Sequence, residues 1–204
     1  MQHLIKNVEA LYPRVNTTYK FDSQEMKSVK CDPSDPAAVY ETSFRMTSDQ
    51  AKELWKEMTK AYAERKQAGW PDKPNNPLRK EDDTGCYIGK AKLKGNYNGE
   101  LTKGVPQYDA KNNKLDDEFL LTSGSKINLA VTFVPYNMRE AGVSMRLRAI
   151  QVVEYREMAE APNPFDTVAD GYTAQPATPF TAAPAAPSKP DAPFSFDDGD
   201  AIPF

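Results

Sequence analysis

"SGSKINLAVTFVPYNMREAGVSMRLRAIQVVEY" (Ser123–Tyr155) is the stretch on which the fold turns. Side chains along a strand point alternately to opposite faces, so apolar residues at every second position mark a strand with one buried side. In Gly142–Tyr155, Val143, Met145, Leu147 and Ala149 fall on one face, and Ser144, Arg146 and Arg148 on the other. Ser125–Tyr136 reads as a second strand, and Asn137–Ala141, which carries Arg139, is a short turn between them. Two long neighbouring strands with cations on the outer side are the starting point.

Working outward, "AVYETSFRM" (Ala38–Met46) repeats the period of two, with Tyr40, Phe44 and Met46 opposite Glu41, Ser43 and Arg45. The period then changes. Thr47 and Gln50 form a capping-box pattern, Ala51, Leu54, Trp55, Met58, Ala61 and Tyr62 recur at helical spacing, and Gly69 supplies a stop. This stripe is core packing. Trp70–Asp83 reads as a long loop with three prolines. "GCYIGKAKLKG" (Gly85–Gly95) is again a strand, with Tyr87, Ala91 and Leu93 on one face and Lys90, Lys92 and Lys94 on the other. A loop holding Tyr97 and a hairpin around "DAKNNKLDD" follow; "NTTYKF" (Asn16–Phe21) offers a further strand within an otherwise uncommitted N-terminal segment. Several strands, one inserted helix and no βαβ rhythm define a mainly β chain, an antiparallel barrel or small sandwich.

Composition shifts near Met158. Beyond it lie nine of the 17 prolines and eleven alanines. Proline removes backbone donors and alanine buries little area, so residues 159–196 are expected to be a disordered tether, with a reach of roughly 35 Å. The expected organisation is a folded domain over 1–158, the tether, and an acidic tip over 197–204. Charge divides along the same line. The last segment holds seven acidic residues and one lysine, leaving 25 basic against 22 acidic residues up to Met158. A mildly basic body with an acidic end suits a polyanionic partner.

Catalysis finds no foothold. His3 is the single histidine, expected in a mobile N-terminus, and the chain has no P-loop, no dinucleotide glycine fingerprint and no GxSxG. Cys31 and Cys86 lack metal spacing and read as reduced thiols. No enzyme activity, metal or cofactor is expected, and neither a signal peptide nor a membrane span is evident.

Binding is better supported. Lys90, Lys92 and Lys94 at alternate positions project from one sheet face about 6.5–7 Å apart, close to the spacing of phosphates along an extended single strand. Arg146 and Arg148 repeat the arrangement, and Arg139 sits in the adjoining turn. Trp70, Tyr97, Tyr108 and Tyr136 fall in loops or at strand ends. Cations neutralise phosphate while rings stack on unpaired bases, so this set points to single-stranded nucleic acid. An adaptor that binds no DNA, built from a barrel and a tethered peptide, is the alternative.

Ser123–Tyr155 closely resembles the closing strands of bacteriophage single-stranded DNA-binding proteins of the T-odd podovirus type. The match rests on Gly124–Lys126, Val134–Tyr136 and Gly142–Val143, and extends more loosely to Tyr40–Lys66 and Cys86–Lys94. The resemblance implies an OB-fold barrel with an inserted helix that coats single-stranded DNA during phage replication and recombination, in the cytoplasm of the infected bacterial host. It also implies an acidic C-terminal tail ending in Phe that recruits replication proteins. Here the tail is Ala/Pro-rich, and "DDGDAIPF" is more similar to the tip of bacterial single-strand-binding proteins. Host as well as phage replication and repair proteins are therefore expected partners. Asp197, Asp198 and Asp200 would meet a basic rim, Ile202 and Phe204 an apolar pocket, with Pro203 limiting the entropy lost on docking.

Overall fold

In the computed structural model, which describes residues 2–158, the chain runs β1 (His3–Asp22), β2 (Lys27–Lys30), β3 (Val39–Met46), α1 (Ser48–Arg65), β4 (Arg79–Lys80), β5 (Tyr87–Lys94), β6 (Asn96–Tyr97), β7 (Glu100–Leu101), β8 (Gln107–Tyr108), β9 (Lys126–Asn137) and β10 (Ala141–Glu154). The expected tether and tip, residues 159–204, lie outside the described residues.

Five strands close a barrel. β1 pairs with β3, β3 with β5, β5 with β10, β10 with β9, and β9 with β1. Every seam is antiparallel except β5–β10, which is parallel. A ring with an odd number of strands cannot alternate direction throughout, so one parallel seam is unavoidable. The strand order is that of an OB-fold, with α1 inserted between the second and third strands of the barrel. Ile127, Leu129, Val131, Phe133, Leu147 and Ile150 from β9 and β10 fill the interior with Phe44 from β3. Each such side chain contributes about 1.5–3 kcal/mol on burial. Gly89 faces Phe44 across the β3–β5 seam, and a Cβ there would stand 2.6 Å from the Phe44 ring, so the ring occupies the space a side chain would need.

α1 begins where the capping box places it. Thr47 accepts from the Gln50 amide and the Gln50 side chain returns the bond to the Thr47 N–H, worth about 1 kcal/mol together. Ala51, Leu54, Met58, Ala61 and Tyr62 are buried, and the helix packs on β9 and β10. It stops at Arg65, capped by Lys66, four residues before the expected Gly69; Gly69 instead takes a positive φ of 86° in the turn beyond.

Three further differences from the sequence reading have local causes. His3 belongs to β1 and stacks on Phe133 with ring centroids 4.1 Å apart, so this end of the chain is part of the barrel. Most of the uncommitted N-terminal segment is likewise β1, whose Asn7 and Tyr12 adopt positive φ and whose register shifts twice against β3 and once against β9. In β10 the register also slips between Leu147 and Ala149, which moves Ala149 off the buried face and puts Ile150 and Val152 there. Cys31 and Cys86 are free thiols.

Candidate nucleic-acid interface

β3 and β5 alternate cleanly. Tyr40, Thr42, Phe44 and Met46 point inward from β3, and Gly89, Ala91 and Leu93 from β5, so Lys90, Lys92 and Lys94 all project from the outer surface. Barrel closure supplies the neighbour. Met145 pairs with Ala91 and Arg146 with Lys92, so the outward cation of β10 lies beside the outward cations of β5. The register extends this into a line across four strands, Arg14–Glu41–Lys92–Arg146. At about 4.8 Å between strands the line is roughly 14 Å long.

Aromatic side chains flank it. After β5, Asn96 donates to the Pro33 and Asp35 carbonyls at 2.9 Å each, anchoring a small β6–β7 hairpin. The two-residue turn of this hairpin is Asn98–Gly99, both at positive φ, as a type I′ turn requires. Tyr97 is thereby held over the end of β5, with the Arg146 guanidinium 4.9 Å and the Lys94 ammonium 6.0 Å from its ring centre. Tyr136, 39% exposed, lies across Gly142 of the neighbouring strand, where a Cβ would come within 2.5 Å of its hydroxyl. Tyr19 stands under the Arg14 guanidinium at 4.6 Å and pairs with Val39, which in turn pairs with Lys94. An open groove of about 460 Å³ runs along the β5–β10 seam, bordered by Lys90, Lys92, Lys94, Arg146, Tyr97 and Tyr136.

Six of the residues singled out in the sequence thus meet at one groove; four do not. Trp70 packs against the core with its ring 5.8 Å from Tyr62. Tyr108 lies on β8 opposite Gln151, five residues along β10 from Arg146, or roughly 17 Å away. Arg148 is exposed just at the β10 bulge, and its Nε donates to the Thr132 hydroxyl at 3.1 Å. Arg139 is exposed in the β9–β10 turn. Arg14 and Tyr19 join the face although sequence reading did not select them, because the bulges of β1 hide its alternation. The Asn98–Gly99 dipeptide was a legible signal for the hairpin that positions Tyr97.

The cations differ in availability. Among the described residues Lys94 and Arg146 have no carboxylate partner and face only the Tyr97 ring. Lys90 and Lys92 lie 3.7 and 3.6 Å from the Glu41 carboxylate. Arg45, further along β3, is committed: Glu81 and then Glu9 hold its guanidinium above its ordinary range, and both carboxylates bond to it directly. Among the described residues no group of three His, Cys, Asp or Glu side chains is placed to hold a metal, and no helix is long and apolar enough to cross a membrane.

No protein-family model and no curated protein matches the chain. Solved structures do. The fold is similar to that of gp2.5, a single-stranded DNA-binding protein encoded by bacteriophage T7, at 20% identity and a TM-score of 0.54, covering 86% of this chain and 99% of that one. It is also similar to the single-stranded DNA-binding protein from bacteriophage Enc34, solved in complex with ssDNA, at 11% identity and a TM-score of 0.57, covering 76% of this chain and 88% of that one. At such identities the likeness is one of fold.

Proposed function

We propose that the protein binds single-stranded DNA without sequence preference along the outer β3–β5–β10 face and coats it during phage replication and recombination. The observation that carries this reading is the groove at the parallel seam, where Lys90, Lys92, Lys94 and Arg146 lie side by side with Tyr97 and Tyr136 at its edges. The cations would neutralise successive phosphates, and the rings would stack on bases that only a single strand leaves unpaired. Strand faces of this kind, with the loops beside them, are where OB-folds take oligonucleotides. Support comes also from the fold shared with two phage proteins that bind single-stranded DNA. Arg14 and Tyr19 extend the face, and Arg139 and Arg148 adjoin it on the β9–β10 side; Trp70 and Tyr108 are left out of the binding set.

The chain's last residues complete the proposal. Asp197, Asp198, Asp200, Ile202, Pro203 and Phe204 form a docking peptide for phage or host replication and repair proteins, so the site of action is the cytoplasm of the infected host. Fluorescence anisotropy with labelled single- and double-stranded oligonucleotides of equal length, over a salt series, tests the DNA reading. A strong single-strand preference that weakens with salt supports it. Equal or negligible binding to both removes it and leaves a tethered adaptor. Pull-downs comparing the full chain with one lacking Asp197–Phe204 test the tip: equal recovery of partners by both removes the docking role.

A further inference from the structure

Among the described residues one carboxylate, that of Glu41, pairs with cations of this face. Glu41 on β3 has a side chain only 15% exposed, with Oε1 3.5 Å from the Arg14 guanidinium and Oε2 3.7 and 3.6 Å from the Lys90 and Lys92 ammonium groups. These separations are within ion-pair range yet longer than a good charge-assisted hydrogen bond, so the carboxylate is shared among three cations rather than committed to one. Its position follows from register. Glu41 lies opposite Arg14 on one side and opposite Lys92 on the other.

A polyanion approaching this face meets a fixed negative charge in its middle. We propose that Glu41 acts as an internal counter-charge that takes the place of a phosphate in the DNA-free protein, weakening single-strand binding because Lys90 and Lys92 must exchange it for phosphate. Lys90 and Lys92 reach DNA only by leaving Glu41. The inference rests on the single-stranded DNA reading and adds to it the residue that sets how tightly DNA is held.

Two consequences of opposite sign separate this role from a packing role. Removing the charge leaves Arg14, Lys90 and Lys92 close together and unneutralised, so the DNA-free protein loses stability. The same cations become free for phosphate, so DNA binding tightens. A residue that only ordered its neighbours would lose both stability and affinity on substitution.

The test uses the full chain and three variants. Glu41→Gln keeps size and removes charge, and Glu41→Asp keeps charge. Glu57→Gln changes net charge equally on α1, against hollows that do not include the cationic groove. At about 50 mM salt, Glu41→Gln should bind a labelled single strand about fivefold more tightly than wild type, or ~1 kcal/mol, with the gain shrinking toward about 200 mM as screening rises. Its thermal midpoint without DNA should be lower. Glu41→Asp and Glu57→Gln should stay near wild type in binding. Unchanged or weaker binding by Glu41→Gln, with wild-type binding intact, overturns this inference and spares the DNA reading. Equal tightening by Glu57→Gln overturns it in favour of net charge. Absence of single-strand binding by the wild type overturns both.

Discussion

Lys92 occupies the centre of the cross-strand line, between Glu41 and Arg146, and its side chain is 54% exposed. Replacing it with alanine should therefore change DNA affinity and leave the barrel intact. If Lys90, Lys92, Lys94 and Arg146 each meet one phosphate, the logarithm of the binding constant falls with the logarithm of salt at about 0.7 per contact, a slope of about −2.8. Between about 50 and 200 mM salt, that slope weakens wild-type binding about 50-fold. Lys92→Ala should show a slope of about −2.1 and a loss of about 20-fold over the same range. The triple replacement of Lys90, Lys92 and Lys94 should leave a slope of about −0.7 and a loss of about 2- to 3-fold. Anisotropy titrations with one oligonucleotide at several salt concentrations measure these slopes directly. Lys60→Ala serves as the control, since Lys60 is exposed on α1 and does not border the groove. A wild-type slope in Lys92→Ala, or an equal reduction in Lys60→Ala, would show that phosphates do not follow the β5–β10 seam.

Tyr97→Ala should weaken single-strand binding about 5- to 150-fold, the loss of one stacked base at ~1–3 kcal/mol, with an unchanged salt slope, and Tyr97→Phe should retain most affinity; a changed slope with unchanged low-salt affinity would mean that Tyr97 orients Arg146 rather than stacking. Gly89→Ala should lower stability by about 1–3 kcal/mol, because the new methyl meets the fully buried Phe44 ring, and a wild-type urea midpoint would contradict that interlock. Acid stability follows from carboxyls held below their ordinary range: Asp35 chiefly by the hydrogen bond from Lys20, Asp109 by that from the Asn113 side chain, and Glu81 by that from Arg45. A folded-state value below the unfolded one contributes stability above the unfolded carboxylate range and loses it as pH falls through the folded value. The urea midpoint should thus stay level from about pH 8 to 5 and drop below about pH 4, less steeply when Asp35 and Asp109 are both replaced by Asn; an unaltered acid limb would count against these bonds.

What could be read in the sequence is what a few neighbouring residues decide among themselves. Alternation in Ala38–Met46, Gly85–Gly95 and Gly142–Tyr155 identifies strands and assigns an inner and an outer face, because successive strand side chains must point oppositely. Thr47 with Gln50 starts the helix because the capping box closes within one turn. Local rules fail where the backbone departs from its period. β1 buries Ile5, Val8, Ala10, Val15 and Thr18, an irregular sequence of spacings that keeps neither a period of two nor one of 3.6, since Asn7 and Tyr12 at positive φ reset its phase, so Arg14 and Tyr19 carried no visible pattern.

By itself, then, the sequence determined that this is a mainly β chain with one capped helix, and that Lys90, Lys92 and Lys94 share an outer face with a similar row on a later strand. The tertiary structure decided which of those faces adjoin. Closure through the parallel β5–β10 seam set Arg146 beside Lys92, the Asn98–Gly99 turn held Tyr97 against Arg146 and Lys94, and the β1–β3–β5 register placed Glu41 among Arg14, Lys90 and Lys92. The reason is physical: alternation is a property of one strand, whereas a cross-strand neighbour depends on register and bulges set jointly by segments far apart in the chain.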